Sequence, residues 1–381
     1  MDEHYSLMRG GLLYRLTHAG GVAWTERAYA PWVAFALWTI VLLPVVVFCA
    51  LDHRLIGGVA VPLVRDYTVW ARFFVAMPVL VLAAPLADER MWRSLGHLRN
   101  LVEPGHQAEF EKALERLRRW RDSIWPELLL FALAIAGVFA APTLPLYDHA
   151  TSWRNDGAQL TPAGWWLSWV GFPLFRFMTL LWLWRFLLWV CLLARFSRLD
   201  LALHAAHPDG CGGVGFLGYA NASFLVMPLV AGLLVAGSCA VELEHLGVRL
   251  ESLHMLLGGY AVFAVGIMLA PLLLLTPKLA ALKRNSLLAY GALGTDASEE
   301  FEHRWLGRAR RTAAPIIDGG DPSALADLTA VYETASRMGT VPVQRWILLQ
   351  FIGATVLPLL PLLLLVMPLD EIVQKLFSML V

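Results

Sequence analysis

Three arginines stand inside long apolar runs: Arg72, Arg176 and Arg185. A guanidinium stays charged at any physiological pH. In hydrocarbon it needs a counter-charge, a set of carbonyls or a watery cavity. Arg176 follows Trp165 by 11 residues, roughly 16 Å along a helix and close to the middle of a span. Arg185 comes nine residues later, a rotation of about 900° that sets the two on opposite helix faces. Arg72 lies shallower, about 8 Å from the start of its run. Acids in these runs are few: Glu127 at the edge of one, Glu242 at the edge of another. Positive charge without acid at matching depth points to an anion site or an anion-selective path. The alternative is structural. Arg185 sits between Trp182 and Trp189 at cation–π spacing, Arg72 has Asp66 or Glu242 as partner, and Arg176 clamps backbone carbonyls.

A second cluster is the segment HAAHPDGCGGVGFLG, residues 204–218. His204, His207, Asp209 and Cys211 are metal-ligating types within eight residues. Their spacing fits no zinc signature, and four ligands from one short loop are rare, so no metal is expected. Gly210, Gly212, Gly213 and Gly215 have the freedom to form a backbone nest for a phosphate. The segment lacks the lysine and the preceding strand of a nucleotide-binding loop. The plainest expectation is a tight re-entry turn in which His and Asp satisfy helix ends. No G-x-S-x-G, H-E-x-x-H or Walker motif occurs, and no histidines pair at helical spacing across spans. No catalytic residue and no cofactor is nominated.

These residues ride on a chain built for lipid. Of 381 residues, 58% are hydrophobic and 16% charged, against about 25% charged in a soluble domain. Thirty basic residues balance thirty acidic ones, so nothing points to nucleic acid. Apolar runs near 31–51, 67–87, 125–146, 164–201, 222–241, 255–276 and 346–367 suit a hydrocarbon core of roughly 30 Å. The expected fold is all-α, a polytopic transmembrane helix bundle of about seven spans in a single membrane domain, 1–381. The first 30 residues hold no signal-length apolar core, so the first run is expected to act as an uncleaved anchor. With the N-terminus in the cytoplasm, 22 of the 30 Lys and Arg fall inside and 5 outside, a strong positive-inside bias.

Two cytoplasmic segments are long, 88–124 and 278–344. In QAEFEKALERLRRWRDSIW, Phe110, Leu114, Leu117 and Trp120 or Trp125 recur at helical spacing, which predicts an amphipathic helix. Asp321-Pro322-Ser323 opens a second predicted helix that runs to Arg337 and stops at Gly339. With it comes a small cytoplasmic helical cap. Residues 368–381 read as an amphipathic C-terminal helix lying on the interface. The fourth run is too long for one crossing and is expected to project toward 278–344. Cys49 and Cys239 would lie at the same membrane face, where a disulfide is conceivable.

The HPDGCGGVGFLG segment resembles a loop of the type HPDxxGGLGFL in a group of uncharacterised bacterial multi-span membrane proteins. YSLMRGGLLYRL near the N-terminus and SALADLTAVYETASRMGTVPV before the last run fit the same pattern. The chain departs from it at Cys211 and Val214. The resemblance implies one folded unit over most of the chain and brings no activity with it.

The leading expectation is a multi-pass protein of the bacterial inner membrane, an oligomeric channel or transporter for an anion or small anionic solute. Its partners would be the lipid bilayer, the anion and further copies of the chain. A membrane-embedded sensor or scaffold that binds a partner through cytoplasmic helices comes second. A headgroup-modifying enzyme using His204, His207 and Asp209 comes third.

Overall fold

The structure is a computed structural model that describes residues 28–140, 151–157, 159–245, 247–305 and 321–362. It is an all-α bundle. Five helices are long and apolar enough to cross a membrane: α1 (Ala30–Leu51), α2 (Tyr67–Leu101), α5 (Pro162–Phe196), α6 (Phe216–His245) and α7 (Leu250–Leu273). The count rises to six if α3 (Gln107–Asp122) and α4 (Ile124–Ala140), a pair bent by 46° at Ser123, are taken together as one span. The seventh predicted run begins as α10 (Arg345–Val356) and continues through a short turn, Leu357–Leu359. Its last five residues lie outside the described residues. So do the predicted C-terminal helix, YSLMRGGLLYRL and the N-terminal arginines.

The helix periodicities resolve as their residue patterns require. On α3, Phe110, Leu114 and Leu117 are buried while Trp120 is exposed, as is Trp125 at the start of α4, so the buried stripe ends one turn earlier than the spacing suggests. α9 spans Asp321–Arg337, as predicted, and packs antiparallel to α8 (Thr276–Trp305) as the helical cap. α5 passes Arg185 and runs to Phe196, 35 residues or about 52 Å. Lys278 Nζ donates to Leu199 O just beyond its end, which joins α5 to the start of α8.

α2 departs from the expected pattern. The run 67–87 was expected to end in a polar segment starting at Asp88, yet the helix continues unbroken for 35 residues to Leu101, and Asp88 is buried. Both long helices widen into a π-helical segment near their start, Trp70–Ala76 in α2 and Leu167–Gly171 in α5. Each segment ends two residues before a proline, Pro78 and Pro173. A proline removes an N–H and crowds the preceding turn, which here relaxes to i→i+5 bonding: Met77 N donates to Arg72 O, and Phe172 N to Leu167 O.

The bundle has two ends. At one, a two-stranded antiparallel hairpin, β1 (Asn155–Asp156) and β2 (Gln159–Leu160), sits over the starts of α2 and α5. Asp66 caps α2 by accepting from Thr68 N at 3.1 Å, and its other oxygen accepts from Trp153 Nε1 at 2.9 Å. At the opposite end, the 197–215 loop packs against α2, α8 and the chain after α9. Between the ends, Trp182 Nε1 donates to Leu80 O, and Trp189 Nε1 to Asn221 Oδ1. Asn221 in turn donates to Met268 O, so this buried polar thread is satisfied. All four cysteines are free, Cys49 and Cys239 included, which overturns the disulfide considered for them.

Candidate functional site

Arg72 and Arg176 come together, and a third arginine joins them. Their guanidinium carbons lie 5.0 Å (Arg72) and 5.8 Å (Arg176) from the centroid of the Phe172 ring, and that of Arg154 lies at 5.1 Å. The π-turn of α5 ends at Phe172, and the π-turn of α2 carries Arg72. Helical side chains lean toward the helix N-terminus. The Arg176 head therefore reaches back one turn to Phe172, shallower than its Cα suggests. Arg154 arrives from the hairpin, with Nη2 donating to Ser168 Oγ at 3.1 Å.

Two glycines shape the seat. A Cβ on Gly137 of α4 would lie 2.9 Å from Arg176 Nη1, and one on Gly164 would lie 2.2 Å from Arg154 O. Backbone approaches this close leave no room for a larger residue at Gly164. Arg176 Nη1 is buried and makes no hydrogen bond. Three like charges on one ring repel one another. The cation–π attraction to the ring opposes this. An anion seated among the three would convert the repulsion to attraction.

Arg185 is elsewhere. It lies 13 residues from Phe172 on α5, about 20 Å along the axis. It is 3% exposed, within electrostatic reach of Glu127 of α4 and Asp88 of α2, both buried themselves. Arg185 is thus the centre of a compensated charge cluster, while Arg72 and Arg176 share a ring with Arg154. Sequence reasoning missed Arg154 because it falls between apolar runs, and Asp88 because the polar string after it reads as a helix end.

His204, His207 and Asp209 line one cleft of about 530 Å³ at the loop end, together with His97 and Asn100 from the end of α2. No spacing in the sequence links His97 to this loop; the fold brings it there, its ring 5.4 Å from that of Phe216. The glycine nest forms, but its occupant is internal. Asp209 Oδ1 accepts from Cys211 N at 2.8 Å and Gly213 N at 3.1 Å, and Oδ2 from Gly215 N at 2.8 Å. His207 Nδ1 lies 2.9 Å from Oδ1. Burial alone would raise the Asp209 pKa; the three backbone N–H groups and His207 outweigh it and hold the carboxyl below its ordinary value. Gly210, Gly212 and Gly213 take positive φ, the backbone that wraps a carboxylate this tightly. The re-entry turn therefore satisfies itself. Among the described residues no three His, Cys, Asp or Glu side chains converge to hold a metal.

The loop also clasps its neighbours. Gly339 N donates to Gly210 O at 2.7 Å, Cys211 Sγ lies 3.8 Å from Val341 O, and Lys283 Nζ donates to Met338 O at 2.8 Å. The segments HPDGCGGVGFLG and SALADLTAVYETASRMGTVPV, far apart in the chain, thus meet. No protein-family profile, no curated protein and no solved structure matches this chain.

Proposed function

We propose that this multi-pass membrane protein is a channel or transporter for a small anion, with its binding point between Arg72, Arg154 and Arg176. The gathering of three guanidinium groups on the Phe172 ring, one with a buried and unbonded nitrogen, carries this reading. Half-buried Arg at a helix seam attracts anions and repels cations. Arg176→Lys keeps the charge and loses the planar fork, so partial anion flux is expected to remain. Arg176→Gln is expected to lose most of it, with the melting point in detergent little changed. Flux into liposomes by the purified protein, read beside the melting curve, tests this. A wild-type protein that moves no anion under any gradient ends the transport reading.

A scaffold role is favoured by one observation. Leu288 and Leu293 of α8 and Val331 and Tyr332 of α9 are exposed on helices beyond the spans. Exposed apolar side chains on such helices would suit a partner helix if they lie together.

A further inference from the structure

The surface of the α3–α4 pair changes character at its bend. The buried stripe of α3, Phe110, Leu114 and Leu117, packs toward the end of α5, with the Phe110 ring 6.1 Å from that of Phe196. At 100° per residue, Lys112, Arg116, Arg119 and Trp120 fall within about 100° of one another on the opposite face. All four are exposed. Glu109 shares that face, but seven residues before Arg116, about 10 Å further from the bend. Glu115 lies on the flank. Arg119 Nη2 is 3.9 Å from its Oε1, with side chains 72% and 66% exposed, a pair worth little in water. Arg118 and Arg121 reach Asp122 instead. Past Ser123 the exposed side chains turn apolar: Leu128, Leu129 and Phe131 stand outward on α4.

Exposed charge before the bend and exposed hydrocarbon after it mark the edge of the lipid core at Ser123. Two tryptophans straddle that edge, Trp120 at 49% exposure and Trp125 at 76%. In water such rings gain nothing by standing out. In a headgroup layer each buries its apolar body and keeps its N–H wet. A basic run directly outside an apolar helix attracts anionic lipid. We infer that the last two turns of α3, with Trp125, seat an anionic phospholipid of the leaflet at the loop end. Arg116 and Arg119 take its phosphate, and Trp120 and Trp125 lie at the level of its headgroup. A zwitterionic lipid brings its own ammonium to the same arginines and gains less. An acidic segment of a soluble protein would match the arginines but leave Trp125 uncovered. The lipid would bind whether or not the protein moves an anion.

The full-length protein in detergent, titrated with dioleoyl phosphatidylglycerol or dioleoyl phosphatidylcholine and read by native mass spectrometry, tests it. Wild type is expected to retain the anionic lipid over the zwitterionic one by roughly thirtyfold, the worth of two basic contacts. Arg116→Gln with Arg119→Gln should bring that ratio toward one. Arg116→Lys with Arg119→Lys should keep it within about threefold, since the attraction is to charge. Arg65→Gln with Arg249→Gln removes the same charge at the hairpin end and should leave the ratio unchanged. All four arginines are exposed, so each variant is expected to fold. Equal retention of the two lipids by wild type overturns the inference, as does an unchanged ratio in Arg116→Gln with Arg119→Gln. An equal loss in the Arg65 and Arg249 pair assigns retention to net charge and overturns it too. Displacement of the lipid by millimolar glycerol 1-phosphate would make the occupant a soluble anion, with the same result.

Discussion

Removing the Arg185 charge takes a cation away from Asp88 and Glu127, which are buried at 4% and 5% exposure within its electrostatic reach. Breaking such a buried arrangement from one side costs about 3–5 kcal/mol, far more than a surface pair is worth. Arg185→Gln is therefore expected to lower the unfolding midpoint in detergent sharply, and adding Glu127→Gln to recover part of the loss. A midpoint within a degree of wild type would contradict this. Arg176, nine residues away, carries the opposite expectation: its loss should alter flux and spare stability. The sequence showed all three intramembrane arginines and their depth, since charge inside an apolar run is visible locally. It did not show that Arg185 faces two buried acids. That depends on α2 continuing past Asp88 and on α4 folding back along α5, both set by packing between distant segments. Arg154 was hidden for the same reason, because its place over Phe172 comes from a hairpin that only tertiary contacts hold.

At the scale of elements, the loop between α5 and α6 stores its order in one carboxylate. Asp209 is held below its ordinary pKa, so the folded loop binds its proton later than an unfolded one as pH falls. Its contribution to stability is present at and above the ordinary carboxylate range, and fades as pH drops through the lower folded value. Hydrogen exchange at Cys211, Gly213 and Gly215, corrected for intrinsic rates, should show constant protection from pH 8 to pH 5 and loss only below the ordinary range. Asp209→Asn, which has a single accepting oxygen, should lose protection at every pH at a cost of about 1–3 kcal/mol. Protection that fades near neutral pH would contradict the role of Asp209. The glycine pattern announced a nest, and Asp209 stood beside it in the sequence. That the one fills the other follows from positive φ at three positions, which residue type permits but does not dictate. α9, by contrast, was legible to its ends because a proline near its start and a glycine after its end are local signals. The second span was not, since helix propensity carries it through the charges that close its apolar run.

For the whole molecule, the charge bias makes a testable claim about orientation. The described basic residues of 90–121 and 278–345 sit on α2, α3, α8 and α9 or beside them, toward the end with the loop and the cap. By the positive-inside rule the loop end is expected to face the cytoplasm. A cysteine-free background with Gln159→Cys should react with an impermeant thiol reagent in intact cells, and one with Ser323→Cys only after permeabilisation. The reverse pattern would invert the molecule. The two 35-residue helices α2 and α5 start level with each other at the hairpin and run about 52 Å, some 20 Å more than a hydrocarbon core. With their starts at one face of the core, that excess is expected at the other, where α3, α8 and α9 gather on it. In a detergent micelle the described part of the protein is then expected to stand further clear of the belt on that side. Side-on particles in electron micrographs carry a built-in polarity mark, and image alignment can tell top from bottom without an added antibody fragment.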